Sequence, residues 1–122
     1  MRSYAGLFGL VLLVGWAAAA AAHGILMESM PKSGEMVAVG ASQVALRFNS
    51  RIERGLSRLV LTGSSGERVA LAVRRSETQG PDWLTAPLPP LAPGLYTIRW
   101  KAFTVDGRLS RGSFSFQVGE RR

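Results

Sequence analysis

The chain has 122 residues, of which 15 are basic and 8 acidic, with one histidine and no cysteine. Without cysteine, neither a disulfide framework nor a thiolate metal site is open to it, and the length allows one modest core rather than several domains. A formal net charge of +7 raises nucleic acid or an anionic surface as partners. The arginines are scattered, however, with no dense basic run and no interleaved aromatic platform, so nucleic-acid binding is set aside and the charge is read as solvated strand faces.

Met1-Arg2-Ser3-Tyr4 makes a short, weakly positive start. Ala5 to Trp16 is apolar, and Ala20 and Ala22 supply the A-x-A pattern that a signal peptidase accepts. The 18 uncharged residues from Ala5 to Ala22 also approach the length of a spanning helix, yet their alanine-rich end is weakly hydrophobic and the residues beyond it read as strands. The expectation is a helical signal peptide over 1–22, cleaved after Ala22, and an exported domain over 23–122 that begins with His23. With Arg2 removed, 14 basic and 8 acidic residues remain, a net charge of +6.

Past the leader the pattern has the period of strands. Ile25 to Ser29 is a short apolar entry, turned by Pro31-Lys32-Ser33-Gly34. Val44, Leu46 and Phe48 alternate on one face. Leu59 and Leu61 do the same before Ser64-Ser65-Gly66 turns the chain into Val69, Leu71 and Val73, which predicts a hairpin. Asp82 to Leu88 is a strand bounded by Gly80-Pro81 and Pro89-Pro90, and Tyr96 to Trp100 and Phe114 to Val118 are the clearest of all. Seven short strands between Gly/Pro turns predict an all-β, two-sheet antiparallel sandwich. Tyr96, just inside a late strand, has the placing of a tyrosine corner, and Trp83 and Trp100 read as core or rim residues.

Three pieces of this sequence stand together. The leader ends in Ala22-His23 and is followed by Ser29-x-Pro31-x-x-Gly34. Val44-x-Leu46-x-Phe48 leads into Asn49 to Glu53. Leu91-x-Pro93-Gly94-x-Tyr96-x-Ile98-x-Trp100 precedes Asp106-Gly107 and Gly112-x-Phe114-x-Phe116-x-Val118. In this order and spacing the set resembles the CopC-type copper-resistance proteins over essentially the whole exported chain. The resemblance implies a seven-stranded, immunoglobulin-like Greek-key sandwich in the periplasm that binds copper ions and acts in copper tolerance, buffering or delivery.

The chemistry of that implication centres on His23. Cu(II) favours nitrogen and oxygen donors in tetragonal geometry, and an N-terminal histidine offers its α-amine and ring Nδ1 from one residue. The amine's ordinary pKa of about 7.7–8.0 lets a metal displace its proton near neutral pH. Cleavage would therefore create the ligand. Asp106, in the matching Asp-Gly turn, is the expected oxygen donor. His23 is alternatively an ordinary solvent-exposed end residue. Two positions depart from the family pattern: Arg108 stands where an imidazole is found, and a guanidinium cannot ligate, while Ser50 stands where a glutamate is common. A weak Cu(II) site is the consequence. Arg108 either pairs with Asp106, standing in for the metal's charge, or is an inert turn residue.

Thioether sulfur suits Cu(I), but the family's mid-chain methionine-rich loop corresponds here to Gly63 to Glu67, which has no methionine. Met27 and Met36 are read as core filler and Met30 as the exposed candidate. His23-Gly24 also resembles the start of copper-dependent polysaccharide monooxygenases, but these need a second imidazole, which this chain lacks. There is no nucleophile elbow and no Gly-rich phosphate loop, so the reading is non-enzymatic. Two functions remain: a monomeric periplasmic copper-binding protein, or a related interaction module that has lost the metal, either of them a candidate partner of an inner-membrane copper transporter.

Overall fold

The computed structural model describes residues 25–119. The leader 1–22, its cleavage point and His23 all lie outside the described residues. Eight strands form among those described: β1 (Leu26–Met30), β2 (Met36–Ala38), β3 (Gln43–Phe48), β4 (Arg58–Thr62), β5 (Arg68–Leu71), β6 (Trp83–Pro87), β7 (Gly94–Phe103) and β8 (Leu109–Gly119). They make two sheets, one ordered β1-β3-β6 and the other β2-β8-β7-β4-β5. The all-β sandwich expected from the sequence is the observed fold.

Alternation along the strands builds the core. In β3, Val44, Leu46 and Phe48 are fully buried, and β6 adds Leu84 and Ala86 from the same sheet. Facing them from the five-stranded sheet are Leu59 and Leu61 of β4, Ile98 and Ala102 of β7, and Phe114, Phe116 and Val118 of β8. Each fully buried side chain of this size contributes roughly 1.5–3 kcal/mol relative to exposure. Phe48 meets Trp100 edge-on at 6.3 Å between ring centroids, and Trp100 in turn leans on Phe114 at 6.3 Å, so the aromatic contacts tie one sheet to the other. Trp100 lies so close over Gly112 that a Cβ there would sit 2.3 Å from the indole, which is why that position carries glycine.

The β4–β5 hairpin forms as predicted, with Leu59 opposite Leu71 and Leu61 opposite Val69. The second strand ends at Leu71, and Val73 belongs instead to the passage between sheets, where Arg74 bridges Thr85 of β6. Tyr96 makes the predicted corner, its hydroxyl donating to the Ala92 carbonyl at 2.7 Å.

Two expectations are revised. The seven predicted strands are joined by an eighth, β2, which runs parallel to β8 rather than antiparallel, with Met36 opposite Gln117. Three residues are too few to show a period, and the segment lies between turn glycines Gly34 and Gly40, both at positive φ. Met27 and Met36 are not core residues: they are 52% and 62% exposed. Met27 sits where the β1–β3 register slips between Leu26 and Glu28, and both residues are on edge strands, where an apolar side chain is not forced inward. Met30 is exposed, as expected.

Candidate metal site

The β7–β8 hairpin turns through Thr104-Val105-Asp106-Gly107-Arg108. Gly107 adopts φ +87°, a left-handed conformation that disfavours a side chain. Thr104 is 2% exposed, and its backbone N–H donates to the Arg108 carbonyl at 2.9 Å, closing the turn. Its hydroxyl oxygen accepts from the Arg108 N–H at 3.0 Å and its proton goes to Asp106 Oδ1. One carboxylate oxygen of Asp106 is thus fixed by a residue two positions back. The other, Oδ2, lies 4.0 Å from Arg108 Nε, with both side chains more than half exposed. Arg108 and Asp106 thus form a long, solvated pair, worth little to stability.

The loop after β3 is laced to this turn. Ile52 and Thr104 form a bridge, Val105 N–H donates to the Arg51 carbonyl at 3.0 Å, and Glu53 N–H donates to the Phe103 carbonyl at 2.8 Å. Ser57, 5% exposed, completes the lacing by donating to the Glu53 carbonyl at 2.8 Å and accepting from Phe103 N–H at 3.0 Å.

The same loop holds the start of the described chain. Ile25 N–H donates to Asn49 Oδ1 at 3.0 Å, and Asn49 N–H donates back to the Ile25 carbonyl at 3.1 Å. Asn49 therefore clasps the backbone two residues after His23, and Arg51, two residues further on, is bonded to the Asp106 turn. Sequence reasoning gave Asn49 and Thr104 no role. The signal for Thr104 was present, since a threonine hydroxyl in a turn commonly bonds to nearby backbone groups, as this one does to Arg108. Asn49 had no such signal, because its partner is remote in the chain.

Asp82 also approaches this end, its carbonyl accepting from Phe48 N–H at 2.9 Å. Its carboxylate is turned back over its own loop, 3.2 Å from where a Cβ of Gly80 would stand. Among the described residues no group of three or more His, Cys, Asp or Glu side chains could hold a metal. Asp106 brings carboxylate oxygen alone, and a site here needs its nitrogen donors from elsewhere. Ser50 lies in the laced loop, half-buried, and offers only a hydroxyl.

The family model for the CopC domain matches residues 26–119. The chain belongs to the CopC domain family. Its relatives include protein YobA of Escherichia coli (strain K12), 30% identical over 98 residues that cover 80% of this chain and 79% of YobA. The copper transport protein CutJ of Bacillus subtilis (strain 168) is 25% identical over 100 residues, 81% of this chain but only 18% of CutJ. Among solved structures, CopC from Methylosinus trichosporium OB3b superposes with a TM-score of 0.74 at 27% identity, covering 82% of this chain and 97% of that one. PcoC, a methionine-rich copper resistance protein from Escherichia coli, gives 0.63 at 26% identity, covering 80% and 100%. The CopC fold is thus matched along nearly its full length. Among the described residues of this CopC domain no helix is long and apolar enough to cross a membrane.

Proposed function

We propose that this CopC domain is an exported, non-enzymatic periplasmic protein that binds copper as cargo, weakly and as Cu(II), in copper tolerance, buffering or delivery. The observation that carries the reading is the clasp between Ile25 and Asn49. It fixes the backbone two residues from His23 on a loop that is itself bonded to the Asp106 turn. Two residues of chain reach at most about 7 Å, which supports a ligand role for His23 beside the Asp106 turn. After cleavage behind Ala22, His23 would supply its α-amine and ring Nδ1 and Asp106 an oxygen, with water as the remaining donor. CutJ, a copper transport protein, and PcoC, a copper resistance protein, support copper as the cargo. The delivery partner in this reading is an inner-membrane copper transporter and the domain a monomer; that a longer copper transport protein, CutJ, contains a stretch similar to this chain supports the link to transport.

A second reading draws on a different observation. Arg108 Nε stands 4.0 Å from Asp106 Oδ2, where a cation already offsets the carboxylate's charge. In that reading the domain is an interaction module of the same descent without metal.

Mass spectrometry of the exported protein with and without Cu(II) decides between them. The copper reading expects a chain that starts at His23 and takes up one copper ion, lost when the terminal amine is acetylated. It also expects Arg108→His to bind Cu(II) about tenfold or more tightly, through an added imidazole and a removed cation. A start at another residue, or correctly processed protein that takes up no Cu(II), overturns it.

A further inference from the structure

The five-stranded sheet gathers charge that the sequence scatters. β4, β5, β7 and β8 together contain Arg58, Arg68, Arg99, Lys101 and Arg111 and not one Asp or Glu. Register decides where these residues stand. Arg58 is opposite Lys101 and Lys101 is opposite Arg111, so three cations form one row across three strands. Arg99, two positions along β7, is flanked by Val60 and Ser113. All of these positions alternate with the buried Leu59, Ile98, Ala102 and Phe114, which puts them on the outward face. Arg58, Arg99, Lys101 and Arg111 are exposed, and with Val60 and Ser113 they line a groove of about 550 Å³. The ion pairs among the described residues are Arg47 with Glu28 and Arg108 with Asp106, and neither involves this face.

Like charges directly opposite one another in a sheet are destabilising. A row of three, with neighbouring strands about 4.7–4.9 Å apart, is a cost to the fold that an acidic residue at any of the three positions would relieve. We propose that this groove is the docking site for an extended acidic segment of a partner protein. The spacing fits such a ligand. Arg99 and Lys101 stand two residues apart, about 6.4–6.8 Å along the strand, and an extended peptide repeats its side chains on one face at the same interval. Carboxylates at alternate positions of the partner meet the Arg99 guanidinium, whose planar fork accommodates one bidentately, and the Lys101 ammonium. Val60, half-buried, gives the groove an apolar floor. A recess takes a projecting chain, whereas a planar anionic bilayer would rest on the rim. The row lies one outward step from Phe103 and Leu109, which open the Asp106 turn, so a bound segment passes beside that turn. The inference needs no metal and stands whether or not the copper reading holds.

The test titrates the exported protein, at about 0.1 M salt where exposed long-range attraction is largely screened, with a synthetic peptide alternating Glu and Thr. A Gln–Thr peptide and phosphatidylglycerol vesicles serve as comparisons, and backbone NMR shifts and affinity are the readouts. The expected result is binding of the Glu–Thr peptide alone, with shifts at Val60, Arg99, Lys101 and Ser113. Arg99→Glu and Arg111→Glu should each weaken it about tenfold or more, while Arg75→Glu, an equal change of net charge on the passage between sheets, changes it less than about twofold. Arg99→Gln, which cannot fail through a new buried charge, should weaken it in the same direction. Equal losses in Arg75→Glu and Arg99→Glu, binding of the Gln–Thr peptide, binding to vesicles in place of peptide, or no binding overturns the proposal.

Discussion

On the three-stranded sheet Arg47 of β3 reaches Glu28 of neighbouring β1 at 2.8 Å, whereas on the five-stranded sheet Lys101 faces Arg58 on one side and Arg111 on the other. The inner faces of the two sheets are built alike, from alternating Leu, Ile, Val and Phe that close one core. Their outer faces follow different rules. One carries a cross-strand pair of opposite sign, the arrangement that favours folding. The other carries cations in register with cations, which favours folding less than almost any neutral set would. The outer face of the larger sheet is therefore not explained by the fold, and its explanation lies in what the face meets.

The largest effects should come from the shared interior, where the sheets are expected to behave alike. Phe116→Ala on β8 should cost about 3–5 kcal/mol and Leu84→Ala on β6 about 2–5 kcal/mol, read as falls in the urea midpoint at unchanged slope. Both residues are fully buried. If either change cost under about 1 kcal/mol, the two inner faces would not form a common core and the comparison would fail at its base. Next comes Gly112→Ala. The added Cβ meets the Trp100 indole at 2.3 Å, and Trp100 also packs on Phe48 from the other sheet. The overpacking should cost about 1–3 kcal/mol and alter the near-ultraviolet circular dichroism.

The outer faces should then respond with opposite signs. Glu28→Gln removes the anion from an exposed pair and should destabilise by about 0.2–1 kcal/mol. Arg111→Glu places an anion opposite Lys101 and should stabilise by about 0.2–1 kcal/mol, while weakening the acidic peptide. Both effects should shrink as salt rises from about 0.01 to 1 M. Thermal melts of the two variants across that range check this, and two changes of the same sign would remove the contrast.

Much of the fold was legible because β3, β7 and β8 are long enough to show their period and are bounded by Gly and Pro. β2 was not, since three residues show no alternation and its partner β8 lies at the other end of the chain. Met27 and Met36 misled because apolar character fixes a face only where both neighbours are strands, and these two residues are on edges. At the candidate site, Asp106 and its Arg108 neighbour could be found from a local motif. Asn49 could not, because its value lies in a contact with Ile25 that only folding creates. The basic face was missed for the same reason. Arg58, Lys101 and Arg111 look scattered along the chain, and the register of three strands sets them in one row.

The smallest effect concerns the acid at the β4–β5 turn. Glu67 precedes Arg68 at the β4–β5 turn, yet its carboxylate accepts from the Ser65 hydroxyl instead of pairing with a sheet cation. That bond, followed by one to its own backbone N–H, lowers its pKa below the ordinary glutamate value. A carboxylate whose pKa is lower in the folded state stabilises the fold above its unfolded pKa, and that contribution disappears as pH falls through the folded value. Glu67 is fully exposed, so solvent screens it and the change in the acid limb of a pH–stability curve should be slight. Ser65→Ala removes the main cause of the shift and should move the Glu67 titration upward in an NMR pH series, leaving the melting temperature at neutral pH nearly unchanged. If the titration instead followed the removal of Arg68, by Arg68→Gln, then Glu67 would be neutralising the edge of the five-stranded sheet. The contrast between the two outer faces would then be narrower than the register alone implies.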